Sequence, residues 1–126
     1  MNVHVVPDGS VAIVQPSGEL DLAASPSLRA VLLEACARHD LTIADLSKVT
    51  FVDSAAVGVL VYAAKRCRHD GHQMRVLNAR ARIVRAMGAL GADTMLGVNV
   101  GLADLDGPTR ALLGAQPGRP SGPDAG

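Results

Sequence analysis

An alternation of short β-branched runs with longer stretches of helical periodicity limits this chain to few folds. Apolar runs at residues 3–6 and 11–14 flank a Pro-Asp-Gly-Ser turn at 7–10 and predict an opening β-hairpin. From there strands and helices alternate, which implies right-handed crossovers and a mostly parallel sheet. The predicted fold class is therefore α/β, with helices packed on a central sheet.

Start and stop signals place the helices along the chain. Ser25 and Pro26 are typical of an N-cap followed by the first helical position. The clearest helix starts at Ser54, carries basic residues in its last turns and meets Gly71 at the C′ position. The predicted ranges are helices 25–39, 54–70 and 79–90, strands 41–45, 73–77 and 95–98, an extended connection at 46–52, and a frayed helix at 109–113.

Length and composition limit the domain organisation and the location. Residues 1–113 of the 126 suffice for one domain with its own core, whereas residues 114–126, rich in Pro and Gly, predict a disordered tail. A strand pattern from the first residues and the lack of a long apolar stretch predict a cytoplasmic protein with no signal peptide and no membrane insertion. The preference for Arg over Lys, with abundant Ala, indicates a bacterial genome rich in G and C.

Charge and aromatic content exclude some functions. A formal net charge of zero provides no overall field that would attract nucleic acid. Phe51 and Tyr62 are the only aromatic residues of the types that stack on bases, so direct nucleic-acid binding is not expected. No nucleophile–base pair or carboxylate pair stands out, and the chain is therefore predicted to be neither an enzyme nor a cofactor-binding protein.

Two interpretations fit the pair Asp53-Ser54 at the start of the clearest helix. Both residue types are good N-caps, and a cap is worth ~1 kcal/mol. Alternatively, Ser54 is a phosphoacceptor. The free N–H groups and the positive end of the helix dipole tolerate a phosphate at this position. Its added charge beside Asp53 would disturb a partner surface at little cost to the fold.

Three short motifs occur in order on the predicted β/α layout. Asp53-Ser54-Ala55-Ala56-Val57-Gly58 resembles the Asp-Ser-Ser/Thr-Gly-Leu-Gly run of the STAS family of anti-sigma-factor antagonists. Upstream, Gly18-Glu19-Leu20-Asp21 is similar to the family's loop before the first helix, and Asp45-Leu46 matches the end of its central strand. The resemblance covers about residues 3–113 and implies a STAS-type fold.

The resemblance implies a mechanism of partner switching. The unphosphorylated antagonist binds an anti-sigma factor that is also a serine kinase, and the sigma factor is released. Phosphorylation at Ser54 weakens that complex, and a serine phosphatase restores it. Ala55 removes the second hydroxyl of the family motif, and Ala56 adds a methyl group where the family has Gly. The residues that the resemblance assigns to partner binding are Gly18, Glu19, Leu20, Asp21, Asp53, Ala55, Ala56 and Val57.

Other functions remain as alternatives. A STAS module can serve as a docking or sensing part of a transporter or larger signalling complex, with Ser54 merely a cap. Glu19 and Asp21 also fit simple turn chemistry before a helix. A receiver domain phosphorylated on Asp53 would need further acidic residues and a Lys after a late strand, and the chain lacks that pattern.

Cysteine and histidine spacing suggests no site of its own. Cys36 and Cys67 lie on separate predicted helices and are interpreted as reduced core thiols. Cys67, His69 and His72 straddle a helix end with no fourth ligand within sequence reach, whereas structural zinc normally has four. No metal site is predicted.

Overall fold

The structure, a computed structural model, describes residues 1–99, 105 and 107–113. Strands and helices alternate as the α/β prediction requires. The predicted disordered tail at 114–126 lies outside the described residues. The elements are β1 (Asn2–Val5), β2 (Val11–Gln15), β3 (Ser17–Leu20), α1 (Ser25–Arg38), β4 (Leu41–Asp45), β5 (Lys48–Val52), α2 (Ser54–His69), β6 (Gln73–Leu77), α3 (Ala81–Ala89), α4 (Asp93–Leu96) and α5 (Gly107–Leu112).

The main sheet has four strands in the order β1-β2-β4-β6. β1 and β2 form the predicted antiparallel hairpin, and β2, β4 and β6 run parallel. The hairpin turn contains Gly9 at φ +77°, a left-handed conformation that favours glycine. His39 at the end of α1 donates its Nδ1–H to the Gly9 carbonyl at 2.7 Å, which ties the turn to the first helix. The mixed, mostly parallel sheet confirms the fold class.

One face of the main sheet carries α1 and α2. Both helices present their apolar stripe to the sheet because residues spaced three and four apart share one side of a helix. The alternate residues of β2, β4 and β6 point at this layer. The core between them includes Ala12, Val14, Leu28, Leu32, Ala44, Leu60, Ala63 and Val76.

The opposite face of the sheet is covered in part by α5. Val11, Ile13, Ile43 and Leu77 are buried there, and Leu105, Leu112 and Leu113 pack against them. Gln15 donates its amide N–H both to Asp45 Oδ2, at 2.8 Å, and to the Leu112 carbonyl, at 3.1 Å. The C-terminal helix is thus anchored to the buried polar group at the end of β4.

Two predictions about the chain after β6 are wrong. Residues 95–98 do not form a strand: they end α4 and turn at Gly97, which has φ +58°. A four-residue apolar run cannot be told from a short buried helix by periodicity alone. Helical spacing over 79–90 also predicts an inward-facing Leu90, but the third helix ends at Ala89, and Leu90, its C-cap, is 52% exposed.

Residues 17–20 also differ from the expected loop. They form β3, which pairs in parallel with β5 in a second, two-stranded sheet. The register shifts between Gly18 and Glu19, where Gly18 adopts φ +74°. At the start of α1, Ala24 is the N-cap, and Ser25 is the first helical residue instead of the cap.

Candidate functional site at the start of helix α2

Asp53 is the N-cap of α2. Its extended backbone, with φ −107° and ψ −179°, turns the carboxylate back over the first turn. Oδ1 accepts a hydrogen bond from the Ala56 N–H at 2.9 Å, which satisfies one of the helix's free donors. The sequence left Asp53 and Ser54 as alternative caps, and the structure gives the cap to Asp53.

Ser54 is the first residue of α2 and is exposed. Because Asp53 fills the cap position, the Ser54 hydroxyl is not needed to close the helix end. Within the part of the chain that the structure describes, that hydroxyl makes no hydrogen bond. An accessible, uncommitted hydroxyl at the positive end of a 16-residue helix can accept a phosphoryl group without breaking a native contact.

The loop after β3 lies beside this helix start. β3 and β5 run parallel, so their carboxyl ends meet at the same edge, and the Asp53 N–H donates to the Leu20 carbonyl at 3.1 Å. The second carboxylate oxygen of Asp53 accepts from the Leu22 N–H at 3.0 Å. Asp53 therefore joins the helix start to the loop that follows the Gly18–Asp21 motif, through a contact with Leu22 that spans 31 positions.

Asp21 shapes the turn that leads into α1. Its Oδ1 accepts from the Ala24 N–H at 3.0 Å, and its carbonyl accepts from the Ser25 hydroxyl at 2.9 Å. The turn chemistry expected for Asp21 is present. Glu19 directly precedes Leu20 in β3, and it is exposed to solvent. Together with Asp53 they make this end of the molecule acidic.

The predicted partner-binding residues separate into two groups. Gly18, Glu19, Asp21, Asp53 and Ala55 are exposed or half-buried near Ser54. The side chains of Leu20, Ala56 and Val57 are buried in the core, at 2%, 0% and 3% exposure. The extra methyl group of Ala56 therefore packs inward and not toward an approaching partner.

The geometry gives little support to a receiver-type phosphoacceptor at Asp53 or to a metal site. Both carboxylate oxygens of Asp53 are engaged by backbone N–H groups, so it is already committed as a structural acceptor. Cys67 is buried, and burial together with the neighbouring Cys36 raises its pKa to about 12. His72 donates its Nδ1–H to the Cys36 carbonyl. Among the described residues no group of three His, Cys, Asp or Glu is arranged to hold a metal ion.

One residue beside the site was not singled out from the sequence. Leu22 directly follows Asp21 and is 73% exposed, although its N–H is held by Asp53. The signal was a large apolar residue immediately after a polar motif, where a solvent-facing turn favours polar types.

No helix in the described part of the chain is both long enough and apolar enough to cross a membrane.

Comparison with known proteins defines the class. The family model of the STAS domain matches residues 2–104. The chain belongs to the STAS domain family. A sequence comparison with curated proteins gives no significant match.

Solved structures share this fold at low sequence identity. The anti-sigma factor antagonist SpoIIAA in its unphosphorylated form superposes with a TM-score of 0.68 at 17% identity, covering 90% of this chain and 98% of SpoIIAA. A Thermotoga maritima protein described as an anti-sigma factor antagonist gives a TM-score of 0.68 at 19% identity, covering 77% of this chain and 83% of its own.

A transporter-family protein shares the fold as well. The sulfate transporter family protein of Wolinella succinogenes gives a TM-score of 0.64 at 21% identity, over 76% of this chain and 81% of that chain.

SpoIIAA of Bacillus also has a structure in its phosphorylated form, with a TM-score of 0.60 at 19% identity over 74% and 85% of the two chains. At these identities the comparisons show the fold alone.

Proposed function

We propose that this chain is an anti-sigma-factor antagonist whose partner binding is switched off by phosphorylation of Ser54. The unphosphorylated form binds an anti-sigma factor that is also a serine kinase, and the sigma factor is thereby released. A serine phosphatase restores the binding form. The chain itself is a ligand and a substrate in this cycle and not an enzyme, and it works in the bacterial cytoplasm.

The observation that carries the proposal is the division of labour between Asp53 and Ser54. Asp53 supplies the cap of α2, which leaves the exposed Ser54 hydroxyl free of hydrogen bonds to described residues. A serine needed only for helix capping would instead bond its own helix start. The similarity to SpoIIAA, for which unphosphorylated and phosphorylated forms are both known, supports the same conclusion.

Electrostatics explain how a phosphate would act here. A phosphoserine adds about −1.5 to −2 charges at neutral pH. The helix dipole and the free N–H groups of the first turn stabilise that charge within the fold. Asp21, Glu19 and Asp53 already make the surrounding surface acidic. The phosphate is larger than the hydroxyl and carries charge that must be desolvated beside Asp53, so a partner packed against the neutral Ser54 hydroxyl no longer fits, while the domain stays folded.

Phosphorylation assays with each candidate serine-kinase anti-sigma factor of the source genome test the proposal. The wild-type chain should gain one phosphate, mapped to Ser54 by mass spectrometry. Ser54→Ala should retain partner binding and accept no phosphate, and Ser54→Asp should bind roughly tenfold more weakly because a charge that must be desolvated replaces a neutral hydroxyl that the partner packs against.

Ser27 provides a matched control, since it is an exposed serine in the first turn of α1. Ser27→Ala should be phosphorylated and bound like the wild type. If no candidate kinase places phosphate on Ser54, or if Ser54→Asp binds as tightly as Ser54→Ala, the proposed switch is wrong.

A second function, a STAS module that docks in a transporter or larger signalling complex without phosphorylation, is favoured by one observation. The Wolinella succinogenes protein of the sulfate transporter family shares the fold to nearly the same degree as the antagonists. Neighbouring genes discriminate between the two functions: a sigma factor, kinase or phosphatase supports the antagonist, and membrane-transport genes support the docking module.

A further inference from the structure

A groove runs between α1 and the first half of α2. It has a volume of about 500 Å³ and an apolar lining that opens to solvent. Its walls are formed by Leu22, Ser25, Pro26, Arg29, Ala30, Leu33 and Val59. None of these residues belongs to the motifs shared with the STAS family.

Leu22, an exposed leucine whose backbone is fixed, stands at the mouth of the groove. Leu22 is 73% exposed, yet its backbone is fixed by the 3.0 Å hydrogen bond from its N–H to Asp53 Oδ2. Pro26 and Ala30 are exposed along the same wall. A single exposed apolar side chain is ordinary, but a contiguous apolar strip beside a concave surface marks an interaction site.

The groove reaches the neighbourhood of Ser54 through Leu22, whose N–H is bonded to Asp53. Ala55, Val59, Tyr62 and Arg66 recur at spacings of four, three and four residues, and they therefore share one stripe of α2. This stripe begins one residue after Ser54, and its second member, Val59, lines the groove. A partner segment lying in the groove would contact Leu22, which is bonded to the residue that precedes Ser54.

Charge is distributed unequally along the groove. Eight residues after Ser54 along α2, Tyr62 lies under the guanidinium of Arg29, which is 4.7 Å from the ring centroid. Hydrogen bonding with Arg29 and the charge of Arg29, followed by hydrogen bonding with Arg66, lower the pKa of Tyr62. Arg66 also faces Asp70 at 3.6 Å, in an exposed ion pair that neutralises part of its charge. At the Ser54 end the charges are acidic.

We propose that this groove is a second docking element, which binds an amphipathic helix of the partner protein that is apolar along its centre and acidic at the end facing Arg29 and Arg66. The proposal rests on the proposed function for the identity of the partner, and on charge complementarity for the chemistry of the segment. Phosphate on Ser54 lies at one end of the groove only, so the far end retains affinity after phosphorylation.

A peptide titration tests the groove without any knowledge of the kinase. The probe is a synthetic amphipathic peptide of about 15 residues, long enough to populate a helix, with Leu at i, i+3 and i+7 and Glu at one end. A second peptide carries Lys in place of Glu. Each is titrated into the full chain and followed by the ¹H–¹⁵N NMR shifts of the backbone.

Shifts should concentrate at Leu22, Arg29, Ala30, Leu33 and Val59. The Glu peptide should bind about fivefold tighter than the Lys peptide, as expected for a few surface charge pairs. Arg29→Glu should reverse that order. Arg82→Glu is the matched control, because Arg82 is exposed on α3, which packs on α4 and β5. Scattered shifts, or equal binding of both peptides, would overturn the proposal.

The kinase assay provides a second measurement. Leu22→Ala should raise KM for phosphorylation of Ser54 and leave kcat unchanged, because the groove acts in binding only. Leu90→Ala, another exposed leucine remote in sequence, is the control. Unchanged KM in Leu22→Ala refutes the groove while the Ser54 switch stands. If no kinase modifies Ser54, the switch fails, and the peptide titration still decides on the groove.

Discussion

Replacing Asp53 with alanine removes two hydrogen bonds at once, one from each carboxylate oxygen. Oδ1 caps α2 through the Ala56 N–H, and Oδ2 holds the Leu22 N–H of the neighbouring loop. Loss of an N-cap costs about 1 kcal/mol. The bond from Leu22 to the charged Asp53 acceptor is exposed, so its loss costs about 1.5 kcal/mol, the low end for such bonds. We expect Asp53→Ala to lower the free energy of unfolding by roughly 2–2.5 kcal/mol.

Asp53→Asn separates the two contributions. An asparagine caps a helix as well as an aspartate does, so the bond to Ala56 is retained. Its side-chain NH₂ then faces the Leu22 N–H, two donors together, and that bond is lost. The expected cost is about 1.5 kcal/mol, the value of the Leu22 bond alone, so it is about 1 kcal/mol smaller than the alanine effect.

Urea unfolding followed by circular dichroism measures both variants. With an m-value of about 2 kcal/mol/M, the midpoint should fall by about 1.2 M for Asp53→Ala and by about 0.75 M for Asp53→Asn. Hydrogen exchange at the Leu22 amide should accelerate in both. Equal midpoints for the two variants would refute the division into a cap and a loop contact, as would an alanine effect below about 0.5 kcal/mol.

Two further predictions concern α2 and its surroundings. The pKa of Cys67, raised from 9.0 to about 12, means that the folded protein keeps a proton that the unfolded chain loses. Its contribution to stability is therefore complete below pH 9 and is lost as the pH rises toward 12. Urea midpoints across that range should fall less steeply in Cys67→Ala than in the wild type. Gly58 lies in the interior of α2 with open space around it, so Gly58→Ala should raise the thermal stability by up to ~1 kcal/mol. Gly71→Ala should lower it by about 1 kcal/mol, because Gly71 has φ +80°. A calorimetric scan that gives both changes the same sign would contradict this assignment.

Local patterns in the sequence were enough to predict most of the fold. The hairpin, β4, β6 and the start of α2 follow from alternation, helical period and turn residues, which act between near neighbours. β3 was missed because Ser17–Leu20 is short and polar, and only its pairing with the distant β5 makes it a strand. The run at 95–98 was misassigned because β-propensity yielded to packing of Leu96 in the core.

The candidate site was predicted less completely. The sequence brought Asp53 and Ser54 to a helix start, but both residue types cap helices well. Only the extended backbone of Asp53 decides which one is the cap. The contact between Asp53 and Leu22 spans 31 residues and could not be read from either motif alone. The groove depends on how α1 and α2 lie side by side, which no local pattern specifies.

Helix α5 limits where the domain can be truncated. The family match ends at residue 104, before α5 begins at Gly107. A fragment trimmed to the family boundaries would still contain the Ser54 site and the groove. It would lack the leucines that pack on the opposite face of the sheet, over Val11, Ile13, Ile43 and Leu77. Such a fragment would expose an apolar sheet surface. Binding measured with it would combine specific recognition with nonspecific hydrophobic association.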